Sequence, residues 1–328
     1  MIFARFQDAY LYYLNKTYYD PQFEVNPRGN RSKEILGVSF ALNNPVDRIC
    51  YLPSRKINIV FNFAEALWYL TGDNSLDYIS YYAKNMKKYS MDNKTLTGTA
   101  YGPKIFAYGL NHINQWNRII NLFHEDRDTK RAFISIFDAN EELALSNIDV
   151  SCTIGLHFLI RNNSLYASAY MRANDAYRGV VSDTFSFTFI HEFLATQLSL
   201  EIGTYYHNAS TYQVYEPDYL QVEKLLNSAR ETYPDFSFPS MPKKNNWNDI
   251  NIVVAYERLL RKNTRPIPVE KINNLDIDTY WKQVILLFAV YNSIQYQGKI
   301  NPVYYNELIP LYQYLIRNRW YDKLKGEV

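Results

Sequence analysis

Over residues 6–18, FQDAYLYYLNKTY, apolar side chains recur at helical spacing and stop at Asp20-Pro21, which predicts an amphipathic helix closed by proline. The polar stretch NPRGNR follows and runs into a strand, SKEILGVSFAL. Residues 57–70, INIVFNFAEALWYL, are apolar almost all round, the pattern of a buried helix. A polar, Lys- and Tyr-rich segment over 72–108 contains TAYGPKIFAYG, where Tyr101-Gly102-Pro103 predicts a turn. A helix over 110–123, a charged loop HEDRDTK and a strand over 131–137 come next. The β-rich runs 154–161 and 165–172 flank Asn162-Asn163-Ser164, a hairpin signal. Residues 186–200 place Phe187, Ile190, Phe193, Leu194 and Leu198 on one helical face, with Gly203 suited to its C-terminal end. Beyond Gln221 the chain reads as helices and loops, with a Pro-bearing connection over 236–242. No repeat, low-complexity tract or linker divides it, so the expectation is one α/β domain over 1–328.

Composition narrows the class. The 328 residues carry a net charge of +2, too balanced for a general nucleic-acid surface. The 31 tyrosines reflect biased codon usage more simply than a base-stacking surface. Cys50 and Cys152 form neither a disulfide framework nor a metal site, which points to a reducing, cytoplasmic setting. The N-terminus does not resemble a signal peptide, and the longest apolar run, 284–291, is far short of the ~20 residues of a membrane helix.

Candidate chemistry lies at a few positions. Glu65, inside an apolar helix, is either a partnered structural carboxylate or a general acid/base with a raised pKa. Cys152 precedes the hairpin and is either an inert thiol or a nucleophile whose thiolate is favoured by Arg172 on the paired strand. Asp183 reads first as a helix N-cap. Arg28 and Arg31 are solvated loop cations or phosphate ligands.

From Cys152 to Asp183 the spacing as a whole resembles the thymidylate synthase family, which includes pyrimidine nucleotide methylases and hydroxymethylases. A nucleophilic Cys, a hairpin, the loop Met171-Arg172-Ala173-Asn174-Asp175, Gly179 and Asp183 fall in register without a gap. Upstream, AEALWYLTGDN resembles the family's E-L-L-W-F-L-x-G-D segment; Tyr101-Gly102 matches its Y-G turn, Lys130-Arg131 its paired basic residues and Tyr215 its sugar-binding Tyr. The resemblance covers roughly residues 1–220, with 221–328 matching poorly and mostly helical. It implies a large mixed sheet packed by helices, one sheet face forming a homodimer interface. It also implies that Cys152 adds to C6 of a pyrimidine and that C5 takes the one-carbon unit of 5,10-methylenetetrahydrofolate, while Glu65 and Tyr101 manage protons. Hydride then gives a methyl group, and water a hydroxymethyl group. Arg172 and Arg131 are implied as phosphate ligands, Lys130 and Arg131 reaching in from the other subunit, with Arg28 or Arg31 assisting. Asp175 is implied to orient the pterin and Arg55 to meet the folate glutamate tail.

Departures from the family refine the expectation. Uracil methylases carry Asn where this chain has Asp183, and a carboxylate accepts from the N4 amino group and protonated N3 of an activated cytosine. Cys-Thr followed by Met-Arg-x-Asn-Asp resembles the phage deoxycytidylate hydroxymethylases. The Trp that shields the reacting carbon has no clear counterpart in YYAKNMKKYSM, which favours water over hydride. Ala173 for Ser and Lys130 for Arg loosen the phosphate contacts and resemble the CMP hydroxymethylases of nucleoside antibiotic pathways, and Gln213 replaces a His that normally touches the 3′-OH. The expectation is therefore a CMP 5-hydroxymethylase. Its alternatives are a dCMP hydroxymethylase, a C5-methylase and a non-catalytic nucleotide-binding relative. The C-terminus RNRWYDKLKGEV lacks the family's apolar closing tail.

Overall fold

The computed structural model describes residues 1–230 and 232–324; the last four residues of the C-terminal stretch just discussed lie outside that range. Among the described residues, eight strands form one mixed sheet: β1 (Ile2–Phe3), β2 (Phe23–Val25), β3 (Ser32–Leu42), β4 (Phe133–Ser135), β5 (Thr153–Arg161), β6 (Ser164–Met171), β7 (Asn174–Asp175) and β8 (Glu201–Tyr215). The main order is β1-β3-β8-β6-β5-β4, with β2 beside β3 and β7 beside β8. The helices are α1 (Phe6–Tyr19), α2 (Ile59–Leu70), α3 (Leu76–Tyr82), α4 (Tyr101–Phe106), α5 (Gln115–Glu125), α6 (Gly179–Gln197) and α7 (Tyr219–Asn227). They continue with α8 (Trp247–Arg261), α9 (Val269–Asn273), α10 (Thr279–Gln297), α11 (Pro302–Asn306), α12 (Pro310–Arg319) and α13 (Tyr321–Leu324).

The sheet is built around β8, antiparallel to β3 and parallel to β6. The β5–β6 hairpin turns through Asn162 and Asn163, both at positive φ (48° and 58°), the geometry that two-residue hairpin loops require. From β7 the chain crosses to β8 through α6, which packs against β6 and β8 on one side and α2 on the other. Because α6 is covered on both sides, its Phe185, Phe187, Phe189, Ile190 and Phe193 are all buried. Helix α2 is buried along nearly its whole length for the same reason, and α10 packs on α2 and α8. Among the described residues, no helix is long and apolar enough to cross a membrane.

Several elements differ from expectation. Tyr101-Gly102-Pro103 opens α4 rather than forming a turn, since a proline in the first helical turn loses no hydrogen bond. Helix α5 starts at Gln115, capped by Asn114, because residues 108 and 113 bridge across a tight loop. The strand expected over 131–137 pairs only from Phe133 to Ser135. Gly203 lies inside β8, where an added Cβ would come within 2.8 Å of the Leu165 carbonyl oxygen; the left-handed residue after α6 is Ser199. Helix α6 starts at Gly179, so Asp183 is within the helix and caps nothing.

Candidate active site

Cys152 lies at the entry to β5 on a segment held from three directions. Asp149 accepts backbone N–H bonds from Thr97 (2.7 Å), Gly98 (3.0 Å) and Thr99 (2.9 Å). An added Cβ at Gly98 would sit 2.0 Å from the Asp149 carbonyl oxygen, so only glycine allows this approach. Ser151 donates from its hydroxyl to the Gly98 carbonyl and from its backbone N–H to Glu141, which is itself paired with Lys104 at 2.6 Å. Arg172 donates from Nε to the Ser151 carbonyl (2.9 Å) and from Nη2 to the Val150 carbonyl (3.1 Å). Cys152 is exposed, whereas Cys50 is buried. The protein around the Cys152 thiol raises its pKa, Arg172 and Arg28 pull it down, and Asp183 and Asp149 push it up. A nucleotide phosphate near these arginines and a base over the thiol are compatible with that field.

Near the thiol lie Asp183 and Tyr101, and next to both of these lies Glu65. Glu65 on α2 accepts from Ser186 Oγ at 3.1 Å and is pushed up to about 8, by burial first and by Asp183 second, with hydrogen bonds from Ser186 and Tyr69 opposing. Asp183 on α6 is pushed up to about 7 by burial, with a hydrogen bond from Asn174 opposing. Tyr101 accepts from Thr153 Oγ1 at 3.0 Å and stacks on Tyr69 with ring centroids 4.7 Å apart. Burial and the fields of Asp183 and Cys152 hold the Tyr101 phenol well above its ordinary range. A carboxyl group poised near neutrality can both give and take a proton, as general acid/base chemistry requires.

The same shift predicts a stability change. The folded protein holds the Glu65 proton more tightly than the unfolded chain, so burial of Glu65 costs increasing stability as pH rises from 4.5 to about 8. Glu65→Gln cannot ionise. It should melt above the wild type at pH 8, by an amount on the order of a few kcal/mol, the gap closing by about pH 4. Thermal melts of both proteins across this range check the sign, and equal melting temperatures at pH 8 refute it.

Other sequence-derived positions fall as follows. Asp175 is half-buried, its Oδ1 accepting the backbone N–H groups of Tyr177 and Arg178, both at 2.8 Å. Arg55 is held by the Tyr10 hydroxyl and the Tyr177 carbonyl, both at 2.9 Å. Gln213 donates to the Tyr215 hydroxyl at 3.3 Å, and Ala173 lies beside Arg172 on the loop. Arg28 lies near enough to lower both Cys152 and Tyr215, whereas Arg31 is already paired with Glu24 (3.0 Å) and Glu216 (3.8 Å). Lys130 and Arg131 are exposed and are not brought to this cluster. The Lys130 carbonyl is bonded to His157, and β4 pairs Phe133 with His157, which puts both residues roughly 20 Å along β5 from Cys152.

Sequence reasoning missed Tyr69, Asp149, Asn174, Tyr205 and His207. Asn174 donates to Asp183 Oδ2 at 2.7 Å, and its own oxygen faces His207 Nε2 at 2.9 Å. His207 Nδ1 meets the Tyr205 hydroxyl at 2.9 Å. Gly179 makes room for this chain of bonds, since an added Cβ would sit 3.3 Å from Asn174 Nδ2. Asn174 stood in view within Met-Arg-x-Asn-Asp; Tyr205 and His207 lie on β8, which the pattern of residues had not disclosed.

A family model described as thymidylate synthase matches residues 8–259. The chain is 32% identical over 205 residues to a deoxyuridylate hydroxymethyltransferase of Bacillus phage SP01, covering 59% of this chain and 53% of that protein. It is 27% identical over 222 residues to a deoxyuridylate hydroxymethyltransferase of Pseudomonas phage M6, covering 66% and 62%. It is 25% identical over 222 residues to a thymidylate synthase of Fusobacterium nucleatum subsp. nucleatum, covering 66% and 77%. The chain thus spans about half to three-fifths of the length of the two hydroxymethyltransferases.

Proposed function

The chain belongs to the thymidylate synthase family, and from that premise we propose that it hydroxymethylates C5 of cytidylate, with CMP preferred over dCMP. The observation that carries the reading is Asp183, a carboxylate beside Glu65 and Cys152 whose Oδ2 accepts from Asn174. A carboxylate so bound offers its other oxygen as an acceptor. That suits the N4 amino group and protonated N3 of an activated cytosine and opposes O4 of uracil.

In this reading the Cys152 thiolate adds to C6, and electron density gathers at C5. Bound 5,10-methylenetetrahydrofolate supplies a one-carbon unit at the oxidation level of formaldehyde. The one-carbon unit bonds to C5 and tetrahydrofolate is the leaving group; Glu65 takes the C5 proton, water adds to the exocyclic methylene left on the base, and the electron pair returned to the ring expels the Cys152 thiolate from C6. Two features fit the folate. Asp175 keeps Oδ2 free of the two backbone bonds that hold Oδ1, and Arg55, anchored to Tyr10 and Tyr177, has no carboxylate partner among the described residues. Hydroxymethylation rather than methylation draws support from the phage relatives, whose names state that reaction.

Arg172 and Arg28 are assigned to phosphate, Tyr215 and Gln213 to the sugar, and Ala173 to the space that admits a 2′-hydroxyl. Lys130 and Arg131 stand too far along β5 to serve their own Cys152, which supports a homodimer in which they reach the partner's phosphate. The outward sheet positions Ile154, Tyr170 and Tyr206, exposed in the single chain, offer apolar and aromatic surface for that pairing. Packing of α10 on α2 supports reading 1–328 as one domain.

A second reading, hydroxymethylation of deoxyuridylate, is favoured by the relatives' named substrate and by burial raising the Asp183 pKa, which favours a protonated side chain able to donate to O4. Mass spectrometry of products from CMP, dCMP, UMP and dUMP with methylenetetrahydrofolate separates the readings. The expected outcome is a mass gain of one CH2O on CMP, with less on dCMP and least on the uracil nucleotides. Preferred conversion of dUMP overturns the cytosine assignment, and a gain of CH2 overturns hydroxymethylation.

A further inference from the structure

We propose that Tyr205, His207 and Asn174 are a positioning relay that holds Asp183 as a hydrogen-bond acceptor and so sets the base preference; this rests on Asp183 reading the base. All three are buried, with Tyr205 and His207 fully enclosed and Asn174 3% exposed. Positions 205 and 207 are successive inward positions of β8, and the next on the same face, Ala209, is apolar. Burying three polar side chains there is costly unless each is paired. Each of them is, and the chain of bonds ends on Asp183.

The bonds have one consistent direction when it is followed back from the carboxylate. An ionised Asp183 can only accept, so Asn174 must turn its amide nitrogen toward Oδ2 and its oxygen toward His207. His207 must then carry its proton on Nε2, which leaves Nδ1 to accept from the Tyr205 hydroxyl. Burial pushes His207 down to about 3, so the ring is neutral and carries one proton, as this arrangement needs. The imidazole is also held flat against Phe40, with ring centroids 4.8 Å apart. Asn174 therefore cannot rotate its amide without breaking the bond to His207. In the reverse direction Asp183 would have to carry a proton on Oδ2 and give it to Asn174, and its pocket oxygen would lose the negative charge that favours the N4 amino group and protonated N3 of an activated cytosine. The relay thus favours the ionised, accepting state of Asp183.

Two substitutions at one position test this. His207→Phe keeps a ring against Phe40 and removes the Nε2 donor; His207→Gln can restore an N–H near the same point. The readout is the ratio of kcat/KM for CMP to that for UMP, backed by calorimetric binding of CMP and UMP, which needs no turnover. The Phe variant should move the ratio toward parity by roughly ten- to a hundredfold, the worth of one hydrogen bond to a charged group, and the Gln variant should lie within about threefold of wild type. A folded Phe variant with an unchanged ratio overturns the relay, as does a Gln variant as impaired as Phe. Should the Phe variant fail to fold, Asn174→Ala removes the donor to Oδ2 directly, and an unchanged ratio there is equally fatal. The wild-type ratio separately tests the cytosine assignment: a wild type that prefers UMP sinks that assignment, while a fall in the CMP to UMP ratio in the variants still supports the relay.

Discussion

Cys152→Ala should abolish release of tritium from C5 of CMP and with it all product, a loss of at least about 10³-fold in kcat, worth ~4 kcal/mol of barrier. The C5 position of a pyrimidine is not nucleophilic until C6 has been attacked, so no later residue can compensate for the missing thiolate. The second cysteine offers no substitute, since Cys50 is fully enclosed and burial pushes its thiol up to about 12. Affinity should behave differently. Arg172, the proposed phosphate ligand, is held by the Val150 and Ser151 carbonyls rather than by the thiol, so its position should survive the substitution. Binding of CMP measured by calorimetry should change by no more than a few fold while turnover disappears, the split that marks a residue acting on the reaction and not on the ground state. Tritium release at the wild-type rate would remove Cys152 from the chemistry.

The legible parts of this fold were those in which one physical rule decided the local structure. The β5–β6 hairpin could be read because Asn162-Asn163 accepts the positive φ that the turn demands. Helix α2 could be read because its length and apolar character leave few alternatives. Helix α6 was misplaced at its start because Arg178 makes no side-chain cap and Gly-Val-Val is a weak opening, so the helix begins through packing and not through a local signal. That error disguised Asp183 as a cap. Strand β8 escaped notice because its inward positions include Tyr205, His207 and Gln213, which breaks the alternation of apolar and polar residues that a half-buried strand normally shows. The same polar residues that hid the strand are those that reach the site. Cys152, Glu65, Tyr101 and Asp183 were found through their joint spacing, and the structure brings those four together. Lys130 and Arg131, found in the same way, lie elsewhere along the chain's own sheet.

Asp183→Asn should move preference from cytosine to uracil nucleotides, and the structure gives a direction to the new amide. Asn174 would still donate at the Oδ2 position, so the carboxamide would place its oxygen there and turn its nitrogen into the pocket. That nitrogen is a donor, matched to O4 of uracil and opposed to the N4 amino group of cytosine. One mismatched buried contact costs about 1–3 kcal/mol, and the exchange both removes a match for cytosine and creates one for uracil, so the CMP to UMP ratio of kcat/KM should fall by roughly a hundredfold. The substitution also deletes a charge beside Glu65, and that charge is the second cause of Glu65's raised pKa. The pH dependence of kcat in the variant should therefore shift toward acid, with the limb assigned to Glu65 appearing below its wild-type position. Competition assays with mixed CMP and UMP, read by mass spectrometry across pH, measure both effects at once. A ratio that stays put while the pH limb moves would leave Asp183 an electrostatic neighbour of Glu65 and end its role as the reader of the base.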